Sequence, residues 1–176
     1  VGQFLQDFIR NKDRFSFPQK IGEGITLHRA IDTFTDTHPE IHEAKKIFSP
    51  LVRLYAGAFV DVSFDYFLAN SIGDKALKAH SEKVYRVLRN HEELLPPNLL
   101  RMLDSMEKDN WLYNYRADWG IEFSMKNVLN KAKYLNKNLA VFDIFLNHKP
   151  QLQYHFDHFF PDLVAEAQKI NAGFPS

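Results

Sequence analysis

Apolar residues recur along this chain at three- and four-residue intervals, and no stretch shows the strict alternation that a strand needs. The pattern predicts helices over 2–11, 19–35, 39–56, 58–71, 74–92, 97–108, 111–116, 119–135, 138–147 and 151–170. Pro18 stands where it would open the second helix. Thr37 and Glu40 fit a capping box around Pro39, whose missing N–H costs little in a first turn. Pro96 and Pro97 separate two helices, and Pro150 opens the last. Pro161 is expected to kink or divide that last helix. With no internal repeat, low-complexity tract or linker, the expectation is all-α: one irregular helical bundle over residues 1–176.

The opening VGQFLQDFIRN places Phe4, Leu5, Phe8 and Ile9 on one side of a helix. It lacks the charged and apolar regions of a signal peptide. Because it starts in the middle of a helical pattern, residues upstream of Val1 are expected to be missing. No run of 18 apolar residues occurs, so no transmembrane helix is expected. Lys+Arg and Asp+Glu are both 22, and this balance argues against a nucleic-acid binder. The absence of cysteine excludes disulfides, thiolate zinc sites and cysteine nucleophiles, and fits a cytoplasmic location. Phe occurs 16 times, so the core should be aromatic.

The most chemically loaded segment is ITLHRAIDTFTDTHP at 25–39. His28, Asp32 and Asp36 are four apart. On a helical wheel Asp32 lies about 40° and Asp36 about 80° from His28. Ile21 and Ile25 share that sector, so these polar groups project with apolar residues. A structural reading also fits: a helix capped by Asp36, with His28 bonded to Asp32 at the edge of the core. The segment LYAGAFVDVSFDYFLANSIG at 54–73 favours chemistry. It holds Asp61 and Asp65 with no Lys or Arg, on a helix apolar nearly all round. A buried carboxylate neutralises, pairs or holds a metal. The candidate partners are Arg29, His28, His38 and a divalent ion, and carboxylates with imidazole suit Mn²⁺, Mg²⁺ or Fe²⁺. Asp7, in QFLQDFIR, either joins them or pairs locally with Arg10 or Asn11.

Three motifs carry a resemblance: GxFLxDFxRN at 2–11, EGITLHRAIDTFTDTHPE at 23–40 and DVSFDYFLAN at 61–70. With FDHFFPDLVAEA at 156–167, they resemble the acyl carrier protein phosphodiesterase family, a relative of the HD-domain metal-dependent phosphohydrolases. The resemblance implies an HD-domain-like helical bundle. It implies removal of 4′-phosphopantetheine from holo-acyl carrier protein with a divalent metal, Mn²⁺ or Mg²⁺. Asp7, His28, Arg29, Asp32, Asp36, His38, Asp61 and Asp65 match motif positions. The metal candidates that follow are Asp7, His28, Asp32, Asp36, Asp61 and Asp65. The catalytic candidates are His28, Arg29, Asp32 and His38. Arg29 would contact phosphate oxygens, and His38 would either protonate the leaving serine or fix the turn before Pro39. The chain departs from the family in lacking an Asn-Phe-Leu-Ala-His opening, in Gln3 where Asn is usual, and in Tyr66 where His is usual.

Acyl carrier proteins are acidic, so a basic docking face is expected. Lys75, Lys78, Lys83, Arg86 and Arg89 cluster at 74–90, and Lys126, Lys131, Lys133 and Lys137 form a second stretch. Each also reads as a solvated helix face. His155 and His158 in YHFDHFF fit a packed aromatic helix better than a metal site. Trp111, Tyr113, Tyr115 and Trp119 fit core packing better than a wall for pantetheine. Two other function classes remain open here: an HD-like phosphohydrolase of nucleotides or small phosphoesters, and a non-catalytic helical binding protein.

Overall fold

Prolines and the positive-φ residues Arg53 and Asn110 mark several of the chain's breaks. Pro18 precedes α2 (Gln19–Thr37), Pro39 opens α3 (Pro39–Val52), and Arg53, at φ 53°, turns the chain from α3 into α4 (Ala56–Ser71). A computed structural model describes residues 1–175, without the side chains of Asn11 and Arg14. The other helices are α1 (Gly2–Leu5), α5 (Asp74–Arg89), α6 (Pro97–Lys108), α7 (Trp111–Asn114), α8 (Asp118–Lys131), α9 (Val141–Asn147) and α10 (Lys149–Ala172). Among the described residues there is no strand, so the fold is the all-α bundle the periodicity predicts. The apolar stretch Pro39–Ser71 passes a length-and-composition test for a membrane span. It is broken at Arg53, however, and it buries Phe48, Phe59, Val60, Phe64 and Phe67 in the core.

Three local expectations fail. The first predicted helix stops at Leu5, continues as a short 3-10 turn at Gln6–Phe8, and straightens at Ile9. A helix this short has little stability of its own, and packing decides where it ends. Thr37 does not form a capping box. Its hydroxyl donates back to the Thr33 and Phe34 carbonyls, and His38 caps α3 by accepting the Glu40 N–H at Nδ1 (3.2 Å). Pro161 does not divide α10, which runs unbroken past it with the proline on an exposed face.

Side chains bury into two clusters. The larger joins α3, α4, α8, α9 and α10. Within it, Phe64 meets Phe156 edge-on at 5.5 Å between ring centroids. The smaller joins α1, α2, α5 and α6 around Leu5, Ile25, Leu88, Leu99 and Leu103. Helix α2 belongs to both. Ile21 and Ile25 sit in the smaller cluster, and Phe34 packs against the larger. The segment 28–36 is the stretch between them.

Helix α1 docks on α2 through glycine. A Cβ on Gly2 would lie 2.1 Å from the Ile21 carbonyl oxygen, and one on Gly24 would lie 3.2 Å from the Gly2 Cα. That backbone-on-backbone approach seats the turn that carries Asp7. Gly2→Ala should therefore cost about 1–3 kcal/mol by overpacking, and thermal unfolding should show roughly 2–4 °C lost per kcal/mol. Gly22, also on α2, has nothing within 4 Å of its Cβ position. Gly22→Ala should be neutral or raise Tm. Equal effects at the two positions would contradict the close approach.

Candidate functional site

Helices α2, α4 and α10 enclose a cleft of about 460 Å³. Asp32 and Asp36 reach it from α2, and Asp61 and Asp65 from α4. Phe156, Phe159, Phe160 and Leu163 of α10 form the apolar wall. Each helix presents its pair because residues four apart share a face. The four carboxylates singled out from the sequence thus line one space.

Their electrostatics follow from crowding. Burial pushes Asp65 up to about 7, and neighbouring Asp61 adds to the rise. Asp61, though exposed to solvent at one side, is pushed up to about 6, mainly by the protein atoms packed around its carboxylate. Asp36 and Asp32 raise it further, while Lys45 opposes the rise. Asp32 is raised by burial and by Asp7 and Asp36, and lowered by His28 and Arg29.

His28 and Asp7 stand beside the cleft and do not line it. His28 Nε2 lies 3.3 Å from Asp32 Oδ2 and 3.6 Å from Asp7 Oδ1, an imidazole between two carboxylates. His38 also lies off the cleft lining. Its Nδ1 accepts a backbone N–H, so the ring proton sits on Nε2, 3.4 Å from Asp162 Oδ2. Its ring packs edge-on against Phe159, 5.1 Å between centroids. Through Nδ1 the ring holds the turn before Pro39. Tyr66 points away from the cleft. Its hydroxyl accepts from Lys149 Nζ at 3.1 Å, and its ring packs on Phe67 and Phe145. The Tyr-for-His departure therefore falls outside the carboxylate cluster.

Lys45 is the residue that sequence reasoning missed. Its Nζ donates to Asp36 Oδ1 at 3.2 Å, and its charge acts on Asp61. Its stem crosses α4 at Gly57, where a Cβ would come within 3.2 Å of Lys45 Cε. Gly57 and Asp61 are four apart, so the glycine clears the lysine's path along the face that carries the carboxylate. A glycine one turn before an unpaired Asp was the available signal.

The donors are hard oxygens with an adjacent imidazole, the chemical type that Mn²⁺ and Mg²⁺ prefer. Among the described residues, no three His, Asp or Glu side chains converge closely enough to hold an ion without rotating. The charge pattern fits a cation nonetheless, since four carboxylates line one cleft and Lys45 bonds Asp36 from beside it.

The basic stretches divide. Lys75, Lys78, Lys83 and Arg86 are exposed on α5, which contributes nothing to the cleft lining. Arg89 is taken up by Glu92, Asp104 and Glu107 at 2.8, 2.7 and 2.5 Å, so it braces α5 on α6 and is not offered to a partner. Lys137 caps the end of α8 by donating to the Leu129, Asn130 and Ala132 carbonyls. His155 is buried with Nδ1 2.6 Å from Glu40 Oε2, and His158 bonds the Tyr154 carbonyl at 2.8 Å, consistent with a packed helix.

The family model for acyl carrier protein phosphodiesterase matches residues 1–163. Proteins of that name from Salmonella agona and Salmonella newport are each 30% identical over 175 residues, covering 96% of this chain and 89% of theirs. One from an Enterobacter species is 25% identical over 171 residues, covering 95% and 89%. No solved structure matches the chain.

The raised carboxyls predict a pH-dependent cost. Folded Asp65 titrates near 7, and unfolded aspartate near about 3.9. The native state holds the extra proton between these values, so stability falls as pH rises through that window. Asp65→Asn mimics the protonated form. In EDTA its Tm advantage over wild type should be near zero at pH 4 and grow through pH 7, reaching roughly 2 °C or more for a chain of this size. A difference that stays constant with pH would show that Asp65 is not raised.

Proposed function

Because the chain belongs to the acyl carrier protein phosphodiesterase family, we propose that it hydrolyses the phosphodiester joining 4′-phosphopantetheine to a serine of holo-acyl carrier protein, leaving the apo carrier. The gathering of Asp32, Asp36, Asp61 and Asp65 in one cleft supports the reading best. A phosphodiester is an anion, and four carboxylates repel it unless a cation intervenes. The proposed cofactor is therefore a divalent ion, Mn²⁺ or Mg²⁺, held among these four carboxylates. Such an ion supplies neutralising charge for the phosphate and a water acidic enough to attack near neutral pH.

The chain's own groups have separate tasks. His28 Nε2, between Asp32 and Asp7, orients the Asp32 carboxylate and holds a proton beside it. Lys45 fixes Asp36 and lends the cleft positive charge. Arg29 already acts electrostatically on Asp32, and its guanidinium suits phosphate oxygens. Phe64, Phe156, Phe159 and Phe160 limit water on the opposite wall. Lys75, Lys78, Lys83 and Arg86 form the proposed docking face for the acidic carrier.

Incubating the protein with holo-acyl carrier protein and Mn²⁺ should remove one phosphopantetheine, seen by intact mass, and EDTA should abolish the loss. Asp32→Ala should slow the reaction by about a hundredfold or more. An unchanged carrier in the presence of bound Mn²⁺ would refute the substrate. A reaction indifferent to EDTA would refute the cofactor. Reversing charge at Lys75, Lys78 and Lys83 should lower kcat/KM at low salt and much less near 0.5 M salt, where the Debye length is only about 4 Å. No change at either salt would place the docking face elsewhere.

A further inference from the structure

Lys45 and Lys46 are neighbours on α3 with different surroundings. The Lys46 side chain is 68% exposed and pairs with Glu43 of its own turn at 2.6 Å. The Lys45 side chain is 30% exposed, and its Nζ reaches across to Asp36 of α2 at 3.2 Å. Helix α3 offers Lys45 no acid at helical spacing, because the positions three and four away hold His42, Ile41, Phe48 and Ser49. Its stem lies instead against α4, with Cε beside Gly57. A Cβ at that position would stand 3.2 Å from Cε, so the glycine leaves the stem its course toward Asp36.

The destination of that ammonium is one of the four acids of the cleft. Lys45 is no part of the lining and holds Asp36 from beside it. The Asp36 side chain is 77% exposed, so a cation arriving from solvent can reach it. Two cations then have a claim on one carboxylate. The ammonium takes lone pairs that a divalent ion would use, and it adds a like charge next to where that ion would sit. It has no open coordination position and cannot make a bound water acidic, so it balances charge without supplying the chemistry.

We propose that Lys45 is a tethered counter-ion of the cleft, competing with the divalent ion for Asp36 and thereby lowering the ion's affinity. In the ion-free protein its ammonium fixes Asp36 and relieves the crowded acids. When an ion binds, the ammonium yields or shares Asp36. Occupancy of the cleft then follows the free concentration of the ion. This rests on the metal-dependent phosphodiesterase reading above and deepens it by naming what regulates that site.

Mn²⁺ alone is the probe. The full chain would be stripped with EDTA, dialysed and titrated with Mn²⁺, with the free ion followed by its electron paramagnetic resonance signal. Lys45→Met keeps the stem and removes the charge. Its Kd for Mn²⁺ should be about tenfold lower than that of wild type, the scale of repulsion between a divalent and a single charge a few ångströms apart in a well-hydrated site. Lys45→Arg keeps the charge and should stay near wild type. Lys46→Met removes an exposed charge from the same helix and should leave Kd unchanged. Thermal melts give a second readout. Mn²⁺ in excess of both Kd values should raise the Tm of Lys45→Met by about 3–5 °C more than it raises that of wild type.

A Kd for Lys45→Met equal to or higher than that of wild type would overturn the inference. Weaker binding is what a lysine that merely presents Asp36 to the ion would give. Equal tightening in Lys46→Met would overturn it as well, by showing an effect of overall charge. Hydrolysis of holo-carrier by the wild-type preparation tests the phosphodiesterase reading separately. Intact hydrolysis with an unaltered Kd in Lys45→Met removes the competition alone.

Discussion

Four carboxylates brought into one cleft repel one another, and much of the surrounding structure answers that repulsion. Burial first, and then the neighbouring carboxylates, hold the protons of Asp65 and Asp61 up to about 7 and 6. Asp36 meets the repulsion with Lys45, and Asp32 with His28, which in turn leans on Asp7. Each solution recruits another element: α3 supplies the lysine, and the turn after α1 supplies the outer aspartate. The apolar wall from α10 intensifies the crowding, because low-polarity surroundings strengthen every charge–charge term. A stable protein would not assemble this arrangement for packing alone. A cationic visitor, or a substrate that arrives with one, gives it a chemical purpose.

Much of this was readable in the sequence because the signals were local. Asp61 and Asp65 sit on an apolar helix without a cation, and His28, Asp32 and Asp36 repeat at four-residue spacing. Both patterns survive folding, since a helix keeps its faces. What escaped was relational. Lys45 looks like an ordinary surface lysine until Gly57 of the next helix clears its path. Arg89 looks like docking charge until three acids from neighbouring segments close around it. His38 reads from the sequence equally as an acid or a turn residue, and only the fold shows its Nδ1 capping α3. The break after Leu5 was hidden for the same reason: contact with α2, not local propensity, decides it.

The resemblance and the geometry contribute different things. Family membership gives the reaction class, and the fold sorts matching motif residues by position. Asp32, Asp36, Asp61 and Asp65 face the cleft. Asp7 and His28 stand behind Asp32, and Tyr66 belongs to a separate tie with Lys149 and Asp118 that joins α4, α8 and α10. Tyr66 engages Lys149 through its hydroxyl and does not line the cleft that Asp61 and Asp65 of the same helix reach.

Helix α2 is shared by both hydrophobic clusters, and this has a dynamic consequence. Amide exchange in helical proteins commonly proceeds through partial openings of contiguous units. Here neither cluster can open as such a unit without releasing one end of the helix that carries Asp32 and Asp36. The face that carries Asp32 and Asp36 is thus coupled to both clusters, the one around Leu5 and Leu99 and the one around Phe64 and Phe156. Loosening of the N-terminal segment would therefore be felt at Asp32, both through α2 and through the Asp7–His28 contact.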